Sequence, residues 1–237
     1  NNGVIIVMFI LVIYTGFTSD NFFTKNNFMN ILMNMSSRLV IALGIAGCVI
    51  TAGCDLSAGR MIGFGACISG MLLQRMDYSG KFFPDMQPLN VFVVALIAML
   101  VCAAFGTVTG FFIAYLNVPP FIATLAMMEI VYGIGLIVTN ATPLGGYVEQ
   151  YTNVSNGKFL GINYLIWIAI IVAAITWFIF NMTRHGKYMY AIGGNPQAAE
   201  VAGVPVKATL ILIYMKAAAM YGLAGFMLGA KAGGASV

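Results

Sequence analysis

The most constraining feature of this sequence is a series of long apolar runs that are almost free of charge. Of 237 residues, 61% are hydrophobic and only 8% are charged, whereas about a quarter of the residues in soluble domains are charged. The runs cover roughly 17 to 25 residues, the length that crosses a ~30 Å hydrocarbon layer as α-helix. They lack the short alternating segments of a membrane β-barrel. The chain is therefore predicted to be an all-α, polytopic transmembrane helical bundle.

We predict about seven membrane spans in a single transmembrane domain that covers residues 1–237. Their expected bounds are Gly3 to Phe17, Leu39 to Thr51, Leu56 to Leu73, Asn90 to Leu116, Phe121 to Thr139, Tyr164 to Phe180 and Ala208 to Gly229. The second is short, but the preceding "NFMNILMNMSSR" could lengthen it. Both ends are expected to be cut from a longer protein, because the chain starts without Met and stops directly after an apolar run.

Small residues and cysteines inside the runs indicate close helix packing. Glycines recur four residues apart, as in Gly59 with Gly63, Gly106 with Gly110 and Gly225 with Gly229. This spacing lets helix backbones approach each other in lipid, so we predict helix contacts at these positions. The four cysteines have no C-x-x-C spacing, and are interpreted as packing residues rather than disulfide or metal ligands.

The charges indicate orientation in the membrane rather than a nucleic-acid partner. Eleven Lys and Arg against seven Asp and Glu give a net charge of +4, without a basic block, so no nucleic-acid binding is expected. The densest cationic linker holds Arg184, His185 and Lys187. Positive linkers stay on the cytoplasmic side, which places Gly193 to Val206 there. His185 is interpreted as part of this signal rather than as a general base.

The stretch "GGNPQAAEVAGVPV" predicts a short helix from Pro196 to Ala202. Asn195 is a favourable N-cap, Pro suits the first helical position, and Gly203 can adopt the left-handed C′ conformation. Ala198, Val201 and Ala202 would form a small apolar stripe. Because so short a helix is unstable alone in water, it must dock. The residues leave two interpretations open: a connector folded back onto its own bundle, or a coupling helix inserted into a partner.

Three long segments carry a resemblance to a known family. They are "ITAGCDLSAGR" from Ile50, "AYLNVPPFIATL" from Ala114 and "TRHGKYMYAIGGNPQAAEVAGV" from Thr183. In this order they resemble the permease subunits of bacterial ABC sugar importers of the ribose, xylose and galactoside group, most closely the galactose and methyl-galactoside branch. The similarity covers essentially the whole chain.

The resemblance implies a pore-forming subunit of the bacterial cytoplasmic membrane, usually present as two copies. An extracytoplasmic binding protein would deliver the sugar, and a separate cytoplasmic ATPase subunit, with its ATP and Mg²⁺, would drive transport. No cofactor, metal or catalytic residue is expected on this chain. The resemblance assigns ATPase coupling to the short-helix segment, with Gly193, Gly194, Asn195, Pro196, Ala198, Ala199, Val201, Ala202 and Gly203 as its residues.

The residues independently argue against ATP hydrolysis by a P-loop on this chain. That motif needs Gly-Lys followed by Ser or Thr, because the backbone amides and Lys cradle phosphates while the hydroxyl binds Mg²⁺. Gly-Lys occurs at Gly80, Gly157 and Gly186, but Phe or Tyr follows each time.

Asp55, Ser57 and Arg60 lie where the third span begins. The favoured interpretation is a capped, charge-balanced helix start, since Asp is a good N-cap. Direct contact with the sugar is the alternative, so all three are candidates for the translocation path.

Glu129 lies near the middle of the fifth predicted span and Lys216 lies within the seventh, where charges are costly and usually functional. The family usually has uncharged residues at both positions. Our hypothesis is that the two side chains neutralise each other, with a direct part in sugar passage as the alternative.

The segment "NVPPF" must interrupt helical structure, because Pro119 and Pro120 cannot donate backbone hydrogen bonds. A tight cytoplasmic turn and a re-entrant segment lining a cavity are both open for Asn117 to Phe121.

Two other functions compete with an importer subunit. A secondary transporter or channel would use Glu129 as an ion or proton site. A polytopic membrane enzyme would need a convergent acid, base or metal cluster, and one His with seven scattered carboxylates offers none that we can identify. Within the importer family, ribose or xylose is the alternative substrate.

Overall fold

The computed structural model describes residues 3–19 and 22–236. Its helices are α1 (Gly3–Thr18), α2 (Lys25–Ile50), α3 (Ala58–Leu72), α4 (Val91–Tyr115), α5 (Pro120–Thr139), α6 (Glu149–Asn156), α7 (Tyr164–Met182), α8 (Arg184–Gly194), α9 (Pro196–Val201) and α10 (Val206–Ala232). Two short antiparallel strands, β1 (Lys158–Phe159) and β2 (Ile162–Asn163), follow α6. The predicted all-α bundle is confirmed.

Within the described residues, five helices are long and apolar enough to cross a membrane, namely α2, α4, α5, α7 and α10. The shorter apolar helices α1 and α3 correspond to the first and third predicted spans. The span predicted from Leu39 is longer than its stated bounds, because α2 begins at Lys25, and the expected lengthening through "NFMNILMNMSSR" is confirmed. Thr24 caps this helix by accepting a hydrogen bond from the backbone N–H of Asn27.

Helix α10 forms the centre of the bundle and packs against α2, α3 and α4. Its close contacts with α4 depend on glycine: a Cβ at Gly106 would overlap the carbonyl of Tyr214, and one at Gly110 would overlap the backbone of Ile211. On the α3 side, Gly225 lies directly against the backbone of Ile62. The predicted contacts at these glycines are confirmed. The prediction for Gly59 is wrong, because a Cβ there would meet nothing within 4 Å.

The linkers group at two opposite ends of the bundle, as expected. At the predicted cytoplasmic end, the Lys207 ammonium lies 5.1 Å from the ring centre of Tyr115. At the opposite end, the backbone N–H of Leu144 donates to the carbonyl of Ala235 over 2.8 Å. This alternation of ends is what a chain that repeatedly crosses a bilayer requires.

The outer linker after α5 folds against the bundle rather than extending away from it. Tyr151 of α6 is fully buried, and its hydroxyl donates to the carbonyl of Phe226 over 2.7 Å. Asn163 then caps α7 by accepting a hydrogen bond from the N–H of Leu165 over 2.8 Å. These contacts fix α6 against α10 and fix the start of α7.

Candidate translocation and coupling sites

The loop between α2 and α3 starts near the cytoplasmic end of the bundle, where a Cβ at Gly53 would lie 3.8 Å from Pro120, and reaches from there along α10. The Tyr214 hydroxyl donates to the carbonyl of Cys54 over 3.5 Å, and the Tyr221 hydroxyl donates to Asp55 Oδ2 over 3.0 Å. At ~1.5 Å per residue, these tyrosines lie about 12 Å and 22 Å along α10 from Val206. Irregular backbone at membrane depth occurs only where it is buried in protein or lines a cavity. We call this loop and the start of α3 the broken span, and non-helical backbone of this kind is expected in a translocation path.

Asp55 holds the broken span to α10. Its Oδ1 accepts hydrogen bonds from the Ser57 N–H over 3.0 Å and from the Ser57 hydroxyl over 2.6 Å. Its Oδ2 accepts the bond from Tyr221. The prediction that Asp55 is the N-cap of α3 is wrong. Ser57 is the N-cap residue, and it makes no side-chain capping bond. Asp55 instead orders the turn that precedes α3.

Arg60 contacts an aromatic ring rather than a carboxylate. Its guanidinium carbon lies 3.8 Å from the ring centre of Tyr132 on α5. Among the described residues, the ion pair within 4.0 Å is Arg75 with Asp77, at 3.6 Å. The predicted charge balance between Asp55 and Arg60 is therefore not made by a direct ion pair.

The hypothesis that Glu129 and Lys216 neutralise each other is wrong. Helices α3 and α4 pack against both α5 and α10 and lie between the two charges, and no ion pair joins them in the described chain. Glu129 is exposed on the surface of this chain. Lys216 instead lines a small cavity with His185, between α2, α7, α8 and α10.

His185 does not contribute a positive charge to its linker near neutral pH. Burial lowers the pKa of His185 to about 4, and the nearby Lys216 ammonium acts in the same direction. Its Nε2 is buried and finds no hydrogen-bond partner among the described residues. The interpretation of His185 as part of the positive linker is thus wrong, whereas Arg184 and Lys187 are exposed cations there.

The predicted short helix is confirmed as α9. Asn195 Oδ1 accepts a hydrogen bond from the Ala198 N–H over 2.9 Å, Pro196 is the first helical residue, and Gly203 has a φ of +82°. Its docking face differs from the predicted stripe: Ala199 is buried, whereas Ala198 and Ala202 are exposed. Val201 is 92% exposed. One small side chain holds α9 to its own bundle, and the apolar stripe is left free.

The "NVPPF" segment is a tight turn. Asn117 takes the left-handed conformation at a φ of +52°, and the Val118 N–H donates to the carbonyl of Phe112 over 3.2 Å. Pro119 is the N-cap of α5 and Pro120 its first residue, so the missing N–H groups cost nothing there. Phe121 is exposed on the first turn.

Tyr132, Tyr214 and Tyr221 were missed by sequence reasoning, and Ala199 was predicted as a coupling residue rather than as the docking residue of α9. A signal existed for two of the tyrosines, since Tyr214 and Tyr221 are seven residues apart and share one helix face. Buried tyrosine hydroxyls need partners, which indicates polar groups opposite that face. Among the described residues, no group of three His, Cys, Asp or Glu could hold a metal ion.

Apolar spans around a broken helix, with a short exposed helix at one end, define the class of multi-pass membrane permeases. A family model described as "Branched-chain amino acid transport system / permease component" matches residues 27–237. The chain belongs to this family. It is a transporter subunit and a multi-pass protein of the cytoplasmic membrane.

Similar curated proteins lie in bacterial sugar importers. The galactose/methyl galactoside import permease protein MglC of Escherichia coli K12 is 39% identical over 99% of this chain and 72% of its own length. That of Haemophilus influenzae is 40% identical over 97% of this chain and 71% of its own length. The ribose import permease protein RbsC of Escherichia coli K12 is 31% identical over 94% of this chain and 67% of its own length. No solved structure matches the chain.

Proposed function

We propose that this chain is the permease subunit of an importer for galactose, methyl galactoside or a related monosaccharide. The observation that carries the proposal is its 39% identity to a galactose/methyl galactoside permease across 99% of the chain. Identity to a ribose permease is lower, at 31%. Galactosides are therefore favoured over ribose or xylose.

The importer would act as a complex. Two copies of the permease form the path, an extracytoplasmic binding protein delivers sugar, and a cytoplasmic ATPase subunit binds ATP and Mg²⁺. The free apolar stripe of Ala198, Val201 and Ala202 supports coupling, because an exposed apolar patch on so short a helix suits insertion into a partner. Residues 193–203 are proposed as the coupling segment.

The proposed translocation path includes the broken span with Asp55, Ser57 and Arg60. Glu129 is exposed near the middle of α5, and a charge there is costly against lipid, which supports a place on the path. Lys216 lies in a separate cavity beside His185. The turn from Asn117 to Phe121 is proposed to connect α4 and α5 without contacting the sugar.

Sugar uptake by cells that lack their own galactose permease tests this proposal. The full-length gene, expressed with its ATPase and binding-protein partners, should restore uptake of labelled galactose. Ribose and xylose supplied in excess should compete weakly. Preferential uptake of ribose or xylose would identify another member of the same family. Uptake driven by an ion gradient without the ATPase would contradict the importer and favour a secondary transporter that uses Glu129.

A further inference from the structure

The structure places three polar side chains close together where α3 meets α5. Arg60 of α3 stacks over Tyr132 of α5, and Glu129 lies three residues before Tyr132 on the same helix face. Gly59 and Gly133 flank this group, and a Cβ at either glycine would meet nothing within 4 Å. We call Gly59, Arg60, Glu129, Tyr132 and Gly133 the α3–α5 strip.

The depth of the strip argues against contact between its charged side chains and lipid. Glu129 lies about 14 Å along α5 from Pro120, at ~1.5 Å per residue, close to the middle of a ~30 Å hydrocarbon layer. Glu129 is exposed, and Arg60 makes no ion pair within the described parts of the chain. Unpaired charges at this depth face a bundle interior or a water-filled cavity. We therefore place Glu129 and Arg60 against water, beside the exposed apolar residues Ile122, Leu125 and Ile130 of α5.

The chemistry of the strip fits a neutral sugar. A carboxylate accepts and a guanidinium donates several hydrogen bonds, which matches the hydroxyl groups of a monosaccharide. The ring of Tyr132 offers an apolar face for the C–H side of the sugar. A few convergent polar groups beside an aromatic surface are typical of small-molecule sites.

We propose that the α3–α5 strip is a sugar-contacting station of the translocation path, an inference that rests on the proposed sugar-importer function. Asp55 positions the strip from behind, since its bonds to Ser57 and Tyr221 fix the turn from which α3 starts. Arg60 holds the Tyr132 ring through their contact. Glu129 and Arg60 exchange hydrogen bonds with the passing sugar.

Thiol accessibility tests the placement of the strip in water. Gly59→Cys and Gly133→Cys fit without a clash and are made in the full-length protein in a Cys54→Ser background, because Cys48, Cys67 and Cys102 are fully buried. Ile171→Cys on α7 is the control, since Ile171 is an exposed residue of an apolar span. A charged, membrane-impermeant methanethiosulfonate should modify both strip cysteines at least about tenfold faster than the control, because only hydrated thiols ionise readily.

Transport by the reconstituted complex tests contact with the sugar. Tyr132→Leu and Glu129→Leu should each lower ATP-driven galactose uptake roughly tenfold, the effect of one lost contact of ordinary strength. Ile171→Cys on α7 lies outside the strip and should take up galactose at the wild-type rate.

Failure of the proposed sugar contact can be distinguished from failure of the proposed importer function. Strip cysteines that react no faster than the control, or wild-type uptake by Tyr132→Leu and Glu129→Leu, would overturn the sugar-contacting role of the strip. Galactose uptake by the wild-type complex would still uphold the importer. Absence of ATP-driven galactose uptake by the wild-type complex would overturn the proposed function and the strip with it.

Discussion

A Cβ on Gly193 would overlap the carbonyl oxygen of Ile50, so α8 and the end of α2 meet backbone to backbone. This contact connects two proposed sites. Gly193 is three residues before the start of α9, and Ile50 is the last residue of α2, directly before the loop that carries Asp55. We expect a displacement of α9 to reach the broken span through this contact, because no flexible side chain lies between the two backbones.

Gly193→Ala should destabilise this contact. Overpacking costs typically 1–3 kcal/mol, about the amount expected here because the obstacle is backbone. Gly194→Ala is a matched control, since a Cβ at Gly194 would meet nothing within 4 Å. Thermal unfolding of the purified full-length protein should show a lower midpoint for Gly193→Ala and an unchanged or higher one for Gly194→Ala. Equal midpoints would contradict the contact.

Val201→Asp should uncouple ATP hydrolysis from transport without affecting membrane insertion. Val201 belongs to the free stripe of α9 and is 92% exposed, so a charge there would be buried unpaired in the ATPase partner. Glu200→Gln also changes one unit of charge, but on another side of α9, and should transport normally. The ratio of sugar moved to ATP hydrolysed measures the effect. Normal coupling by Val201→Asp would make α9 only a connector.

Tyr221→Phe should lower the free energy of unfolding by about 1–3 kcal/mol, because it leaves a partly buried carboxylate oxygen of Asp55 without this donor. Tyr214→Phe should cost less, since its hydroxyl makes a long 3.5 Å bond to Cys54. Chemical or thermal unfolding in detergent measures both values. The interpretation fails if Tyr214→Phe is the more damaging change.

The pH dependence of stability should reflect His185. Its pKa is lowered from 6.5 when unfolded to about 4 when folded, so the unfolded chain binds the proton more readily between these values. Stability should therefore fall as pH decreases from 6.5 towards 4. His185→Gln removes the titration and should lose less stability over the same range. Identical pH profiles of the unfolding midpoint would show that His185 is not buried in its neutral form.

Hydrophobic run length was sufficient to predict the helical bundle, because the bilayer itself sets the length of each span. The α9 helix was also predictable, since Asn195, Pro196 and Gly203 act through local backbone geometry. The start of α2 was predicted only as an extension through "NFMNILMNMSSR", because asparagines in its first turns lower the hydropathy there.

The candidate sites depended on contacts that sequence order does not reveal. Asp55 and Tyr221 are separated by 166 residues, and the stacking of Arg60 on Tyr132 joins two different helices. The proposed Glu129 and Lys216 pair failed for the same reason, since opposite charges in two spans indicate nothing about which helices adjoin. The docking residue of α9 was missed because a six-residue helix has too few positions to define a face.

ATP hydrolysis by the reconstituted full-length complex tests the central claim most directly. The permease, its ATPase subunit and its binding protein are placed in lipid vesicles, and hydrolysis is measured with and without galactose. We predict that galactose-loaded binding protein stimulates hydrolysis and that labelled galactose accumulates inside vesicles whose geometry mimics import. A folded complex whose ATP hydrolysis is indifferent to galactose, and which moves no sugar when ATP is supplied, would contradict the account.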